Sequence, residues 1–117
     1  MDSDVEKIFI VPQDLGAMAK TFYVKVEKPL SQKGWYLKKG STVTGVKVIA
    51  EGEEIREVQR LIQSHLLPNG EKTKAKDWFK VRGTAVITDG VNERVEELHW
   101  YQCKNIGRVE YKIKHRE

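Results

Sequence analysis

Three short segments near the C-terminal end hold the residues whose types and spacing can do chemistry. Lys80, Arg82 and Thr84 alternate within Trp78–Thr88. Glu97, His99 and Tyr101 alternate within Val95–Cys103, and Arg108, Glu110, Lys112 and Lys114 alternate within Arg108–His115. Strand side chains point to opposite faces in turn, so each set shares one face of its strand. If consecutive strands pair, the three polar faces coincide. Lys and Arg hold a phosphate and stabilise the extra charge of its transition state. Glu97 and His99 can move protons near neutral pH. Tyr101 can donate a hydrogen bond or stack on a base. Together they suit phosphodiester cleavage that uses no metal ion.

The same residues also fit a face with no chemistry. A solvent-facing antiparallel sheet is normally polar, and Lys/Glu pairs across strands serve solubility. Other signals are weaker. Gly40–Lys47 misses the phosphate-loop pattern because Val46 separates Gly45 from Lys47. Lys72, Lys74 and Lys76 make a basic loop that could touch a nucleic-acid backbone, although most such runs are simply solvated. His65 sits near a helix end, where a cation is favoured anyway. His115 is close to the terminus, and neither histidine is assigned a role. No paired carboxylate and His spacing marks a metal centre, and no cofactor motif occurs. Cys103 has no His in its sequence neighbourhood and reads as a small buried hydrophobe. Trp78 and Trp100 read as core.

The elements that position these residues follow from periodicity. Thr42–Ala50 is a β-branched strand. Glu53–Leu67 reads as a helix with an apolar stripe of Ile55, Val58, Leu61, Ile62 and Leu66. Glu53 and Glu54 suit its first turn, and Pro68-Asn69-Gly70 ends it. The three C-terminal strands then turn at Asp89-Gly90 and Asn105–Gly107. Their apolar faces (Phe79, Val81, Ala85 and Ile87; Leu98 and Trp100; Val109, Tyr111 and Ile113) are available for the helix stripe to cover. The predicted class is α+β: a helical layer packed on a curved antiparallel sheet with a C-terminal three-strand meander. Upstream, Val5–Val11 reads as a short strand, Gln13–Lys20 as helical turns and Thr21–Lys28 as an alternating strand. Ser31–Ser41 reads as a loop. Residues 1–33 are therefore taken as an N-terminal extension and 34–117 as the main domain.

Composition bounds the partners. With 117 residues the chain has room for one core. Lys and Arg number 21 against 17 Asp and Glu, a net charge of +4 that permits a phosphate-bearing partner without demanding one. A single cysteine excludes an intramolecular disulfide and a Cys-cluster zinc site. The acidic start and the short apolar run at 8–11 do not make a signal peptide, and no apolar stretch nears the ~20 residues of a membrane helix. The expectation is a cytoplasmic protein with no membrane partner, with export inside a larger secreted protein left open.

Asp77-Trp78-Phe79-Lys80-Val81-Arg82-Gly83, Glu97-Leu98-His99-Trp100-Tyr101 and Gly107-Arg108-Val109-Glu110-Tyr111-Lys112-Ile113-Lys114, with the helix before them, resemble the small nucleases of the barnase/EndoU/colicin/RelE-like superfamily. Such domains occur in phage proteins and in bacterial polymorphic toxins. The resemblance covers roughly 34–114. It implies a metal-independent endoribonuclease that needs no cofactor, with RNA (tRNA included) as substrate. An inhibitor or immunity protein is the implied partner, and a phage or a secretion system the implied route of delivery. On this sequence it makes His99 the leading acid/base group and Glu97 its orienter. Lys80, Arg82 and Lys112 become phosphate and transition-state binders, and Tyr101, Thr84 and Lys114 substrate contacts. The alternative readings are a nucleic-acid-binding module without catalysis and a protein-interaction module of a phage.

Overall fold

The computed structural model describes residues 21–114. The strand predicted over Val5–Val11, the helical turns predicted over Gln13–Lys20 and His115 lie outside the described residues. Within them the chain runs β1 (Thr21–Tyr23), β2 (Lys28–Pro29), β3 (Tyr36–Leu37), β4 (Thr42–Glu51), α1 (Val58–Ser64), β5 (Trp78–Thr88), β6 (Glu93–Cys103) and β7 (Gly107–Ile113). Two 3-10 turns, Gly52–Glu54 and Ala75–Asp77, flank the helical region.

All seven strands form one antiparallel sheet, and β5 is its axis. On one side β6 pairs along the whole of β5, from Trp78 opposite Cys103 to Thr88 opposite Glu93. On the other side β4 pairs with Phe79 to Thr84, and β3 with Ile87 and Thr88. β1 adds to β4, β2 to β3 and β7 to β6. The β5–β6 hairpin is closed by Asp89, whose Oδ1 accepts from the backbone N–H of Val91 at 2.8 Å and of Asn92 at 2.6 Å. An aspartate that copies a backbone turn in this way is a local reason for the chain to reverse there. The meander predicted from alternation is thus present. Residues 21–33, read with the extension, supply β1 and β2 to the same sheet.

The sheet has a core on each face. On one face Phe79, Val81, Ala85 and Ile87 of β5 meet Leu98 and Trp100 of β6, and Phe22, Val24, Leu30, Leu37 and Val43 join them. This face is covered by the chain's own first strands and loops. Gly83 lies in its middle, where a Cβ would stand 2.8 Å from Val43 and 2.9 Å from Trp100. Only a glycine leaves that room, because real contacts are not so short. On the other face Ile55, Val58 and Leu61 pack on Trp78, Tyr101 and Cys103.

The helix differs from its prediction in length and in place. Of the predicted Glu53–Leu67 only Val58–Ser64 is α-helical, and residues 52–54 form a 3-10 turn. The helical layer is therefore minor, although an α+β class remains compatible. Of the stripe, Ile55, Val58 and Leu61 are buried, whereas Leu66 is 50% exposed. The stripe does not cover the apolar face of the meander. It covers one end of the face predicted to be polar, because Trp78, Tyr101 and Cys103 share the parity of Lys80, Arg82 and His99. These three large apolar surfaces needed a lid, and the first face already had one. No helix among the described residues is long and apolar enough to cross a membrane.

Candidate functional site

The polar faces of β5 and β6 do coincide. Directly opposed residues in adjacent strands share a face, so pairing turns the alternation into rows. Arg82 faces His99, Thr84 faces Glu97 and Lys80 faces Tyr101. β7 adds Lys112 opposite His99. β4 adds Lys47 opposite Arg82 and Thr44 opposite Thr84. Lys47, Arg82, His99 and Lys112 thus form one row across four strands. At about 4.8 Å per strand spacing it is roughly 14 Å long.

Glu97 ties this row to the next. Its Oε2 lies 3.1 Å from His99 Nε2, 3.8 Å from Arg82 and 3.9 Å from Lys114. The backbone N–H of Lys114 also donates to the Glu97 carbonyl at 3.0 Å. The hydrogen bond from His99 holds the Glu97 carboxyl below its usual range, with Lys114 and Arg82 acting in the same direction. Burial lowers the pKa of His99, and the nearby Lys80 and Lys114 charges act with it, against the pull of Glu97. The imidazole is therefore neutral at pH 7. An ionised carboxylate can only accept, so the proton of neutral His99 belongs on Nε2. Nδ1 is left with its lone pair, which is the state a general base requires.

Tyr101 and Arg108 depart from their predicted places, and Lys80, on the predicted face, lies beside the helix. Tyr101 is 2% exposed and lies under α1, so it has no free ring face on which a base can stack. Burial raises its phenol pKa. Lys80 is one row nearer the helix than Arg82 and lines a hollow with Ala50, Glu54, Arg56 and Glu57. Arg108, predicted beside Lys112, pairs with Gln102 on the opposite face, and its guanidinium lies 3.7 Å from the Phe22 ring centroid. The cause is a register shift in β7 between the partners of His99 and Tyr101, at Glu110, whose φ is +58°. A bulge adds one residue to its strand and so exchanges the faces beyond it. Val109 accordingly packs against the second core, while Tyr111 and Ile113 belong to the first.

The same device hid two residues from the sequence reading. In β4 the register shifts between Thr44 and Lys47, next to Gly45 with φ +64°. Strict alternation would set Thr44 and Lys47 on opposite faces, whereas the bulge brings both to the site. The glycine at that point of a β-branched run was the available signal.

Beside the row, Glu110 joins β7 to the helix. Arg60 donates to both of its carboxylate oxygens, at 2.8 and 3.2 Å, and also to Glu57. His65 Nε2 is 2.5 Å from Glu110 Oε2. These bonds hold the Glu110 carboxyl below its usual range, chiefly through Arg60. A hollow of about 480 Å³ opens here, lined by Arg60, Glu57, Glu110, Tyr111 and Lys112 among others. Among the described residues no cluster of three His, Cys, Asp or Glu side chains is placed to hold a metal ion.

Compared with protein-family models, curated proteins and solved structures, the chain matches none of them.

Proposed function

We propose that the open polar face cleaves RNA, as a metal-independent endoribonuclease of the toxin or phage type. The observation that carries this reading is the row Lys47–Arg82–His99–Lys112, three cations beside a neutral imidazole, with the Glu97 carboxylate bonded to His99. Arg82, flanked by Lys47, holds the scissile phosphate and neutralises the charge that grows on it. His99 Nδ1 takes the proton of the ribose 2′-hydroxyl, and Glu97 stabilises the imidazolium that results. The 2′-oxygen bonds to phosphorus as the bond to the 5′-oxygen breaks. The leaving 5′-oxygen takes a proton from water. The products are a 2′,3′-cyclic phosphate and a 5′-hydroxyl. Lys112 and Lys114 flank the site as further phosphate contacts, and Thr84 lies one row along as a hydrogen-bonding group. Lys80 acts from the helix side through its charge.

An inhibitor or immunity protein that covers this face belongs to the same reading, as does action in the cytoplasm after phage or secretion-system delivery. The test is incubation with tRNA and ribosomal RNA in a chelating buffer, followed by end-group analysis. Cyclic phosphate ends that disappear in His99→Ala support the enzyme. Intact RNA with retained, salt-sensitive binding would instead assign the face to a binding module without catalysis. No affinity for RNA would leave a protein-interaction role.

A further inference from the structure

The loop between α1 and β5 is fixed at several points. Leu66 and Lys72 form an isolated antiparallel bridge, and the Leu67 N–H donates to the Glu71 carbonyl at 2.8 Å. Thr73 is turned inward, where its hydroxyl accepts from the Trp78 indole N–H at 2.7 Å. The Asp77 N–H donates to the Lys74 carbonyl at 3.0 Å, and the Lys104 N–H to the Asp77 carbonyl at 3.2 Å. The loop is thereby tied to the helix end, to the second core and to the β6–β7 turn.

That anchoring sets the direction of its side chains. Lys72, Lys74 and Lys76 are exposed, while Thr73 and Ala75 are not. With Lys104 from the opposite turn, these lysines line a hollow of about 270 Å³. Glu71 and Asp77 also line it, so four ammonium groups stand against two carboxylates. Glu71 is already engaged by the Asn69 amide at 3.1 Å. The sequence alone showed a basic loop of three lysines. The fold adds a fourth from another segment, a concavity and a backbone that needs little further ordering, which lowers the cost of binding.

We propose that this hollow is a second phosphate-binding site, which takes the backbone of an RNA strand extending beyond the His99 row. The proposal rests on the RNA reading of that row. Along β6, Lys104 is five residues from His99, about 17 Å at strand rise. A strand must therefore be several nucleotides long to engage both. Short RNAs reach only the row.

The experiment measures binding of a 2′-O-methyl RNA of about twelve nucleotides, which the proposed reaction cannot cleave, across a salt series, for wild type, Lys74→Gln/Lys104→Gln and Arg82→Ala, with a 2′-O-methyl dinucleotide as the short ligand. The double variant is expected to bind the longer RNA at least roughly tenfold more weakly at low salt, with the log–log salt slope reduced by about 1.4, or ~0.7 per lost contact on a single strand. Its dinucleotide binding should be unchanged, and its thermal midpoint should match wild type. Normal affinity and slope in the double variant, with weakened binding in Arg82→Ala, would overturn the second site and leave the proposed function standing. Failure of every form to bind RNA removes both. Inorganic pyrophosphate separates the two sources of phosphate. If it binds wild type but not the double variant, while RNA binding is unaffected, the hollow is a free-phosphate site and the RNA assignment is wrong.

Discussion

The carboxylate of Glu97 lies 3.1 Å from Nε2 of His99, two residues along the same face of β6, and this contact decides which ring nitrogen is free. With Glu97 ionised and His99 neutral, Nδ1 carries the lone pair. The first prediction concerns that nitrogen. His99→Ala should lower the RNA cleavage rate by ~10²-fold or more, the scale of a lost acid/base group. The acid limb of the wild-type kcat/KM profile should fall below the ordinary imidazole value of 6.5, because burial lowers the His99 pKa. A limb above 6.5, or an active His99→Ala protein with native near-UV dichroism, excludes His99 as the base.

The same shift has a consequence for folding. The unfolded imidazole takes its proton near 6.5 and the folded one only at lower pH, so between these values the unfolded state binds more protons. Stability is full above 6.5 and is lost as pH falls through the folded value. Glu97, also lowered, acts in the same direction only below its ordinary 4.5. Urea midpoints should therefore drop from about pH 7 to about pH 5 in wild type and drop less in His99→Gln. Equal drops in the two proteins would show that His99 is not protected from protonation.

Much of this site was legible because β5 and β6 run for eleven residues each without interruption. Over that length, period-two alternation put Lys80, Arg82 and Thr84 on one face of β5, and the pairing with β6 sets them opposite Tyr101, His99 and Glu97. Two things were not legible. Bulges at Gly45 and Glu110 shift parity, and alternation read without them misplaces Lys47 and Arg108. The site of helix packing was also hidden. A stripe of Ile55, Val58 and Leu61 states that a helix needs an apolar partner, but not which of two sheet faces supplies it. Trp78 and Cys103 carried that information, since they sit at strand ends on the parity of the charged residues.

Gly83 leaves no room for a side chain in the first core. A methyl group there would meet Trp100 at 2.9 Å and Val43 at 2.8 Å, and neither can retreat from the centre of a packed sheet. Gly83→Ala should destabilise the fold by about 1–3 kcal/mol, the usual cost of overpacking. Denaturant unfolding measures it. An unchanged midpoint would mean that Trp100 is not held where the register of β5 and β6 puts it.

Cys103 is fully buried beneath the helix beside Trp78 and Tyr101. Burial pushes its thiol up to about 12, so almost no thiolate exists at neutral pH. A thiol reagent should label the native protein only at the rate of unfolding and should label it at once in denaturant. Fast labelling of native protein would show that α1 lifts readily from the sheet.

Glu110 combines a strained backbone with a useful side chain. Its φ of +58° lies in the left-handed region, which costs a non-glycine residue roughly 1–2 kcal/mol. Its carboxylate binds Arg60 through both oxygens and also meets His65. Two substitutions separate these effects. Glu110→Ala and Glu110→Gly both remove the ion pairs, but only glycine relieves the backbone. Glu110→Gly should thus be the more stable of the two by about 1 kcal/mol, less the entropy that glycine adds to the unfolded chain. Urea unfolding of the pair compares them directly. If Glu110→Ala is equal or better, the positive φ is not imposed by the bulge, and the β7 register that brings Lys112 to His99 needs another cause.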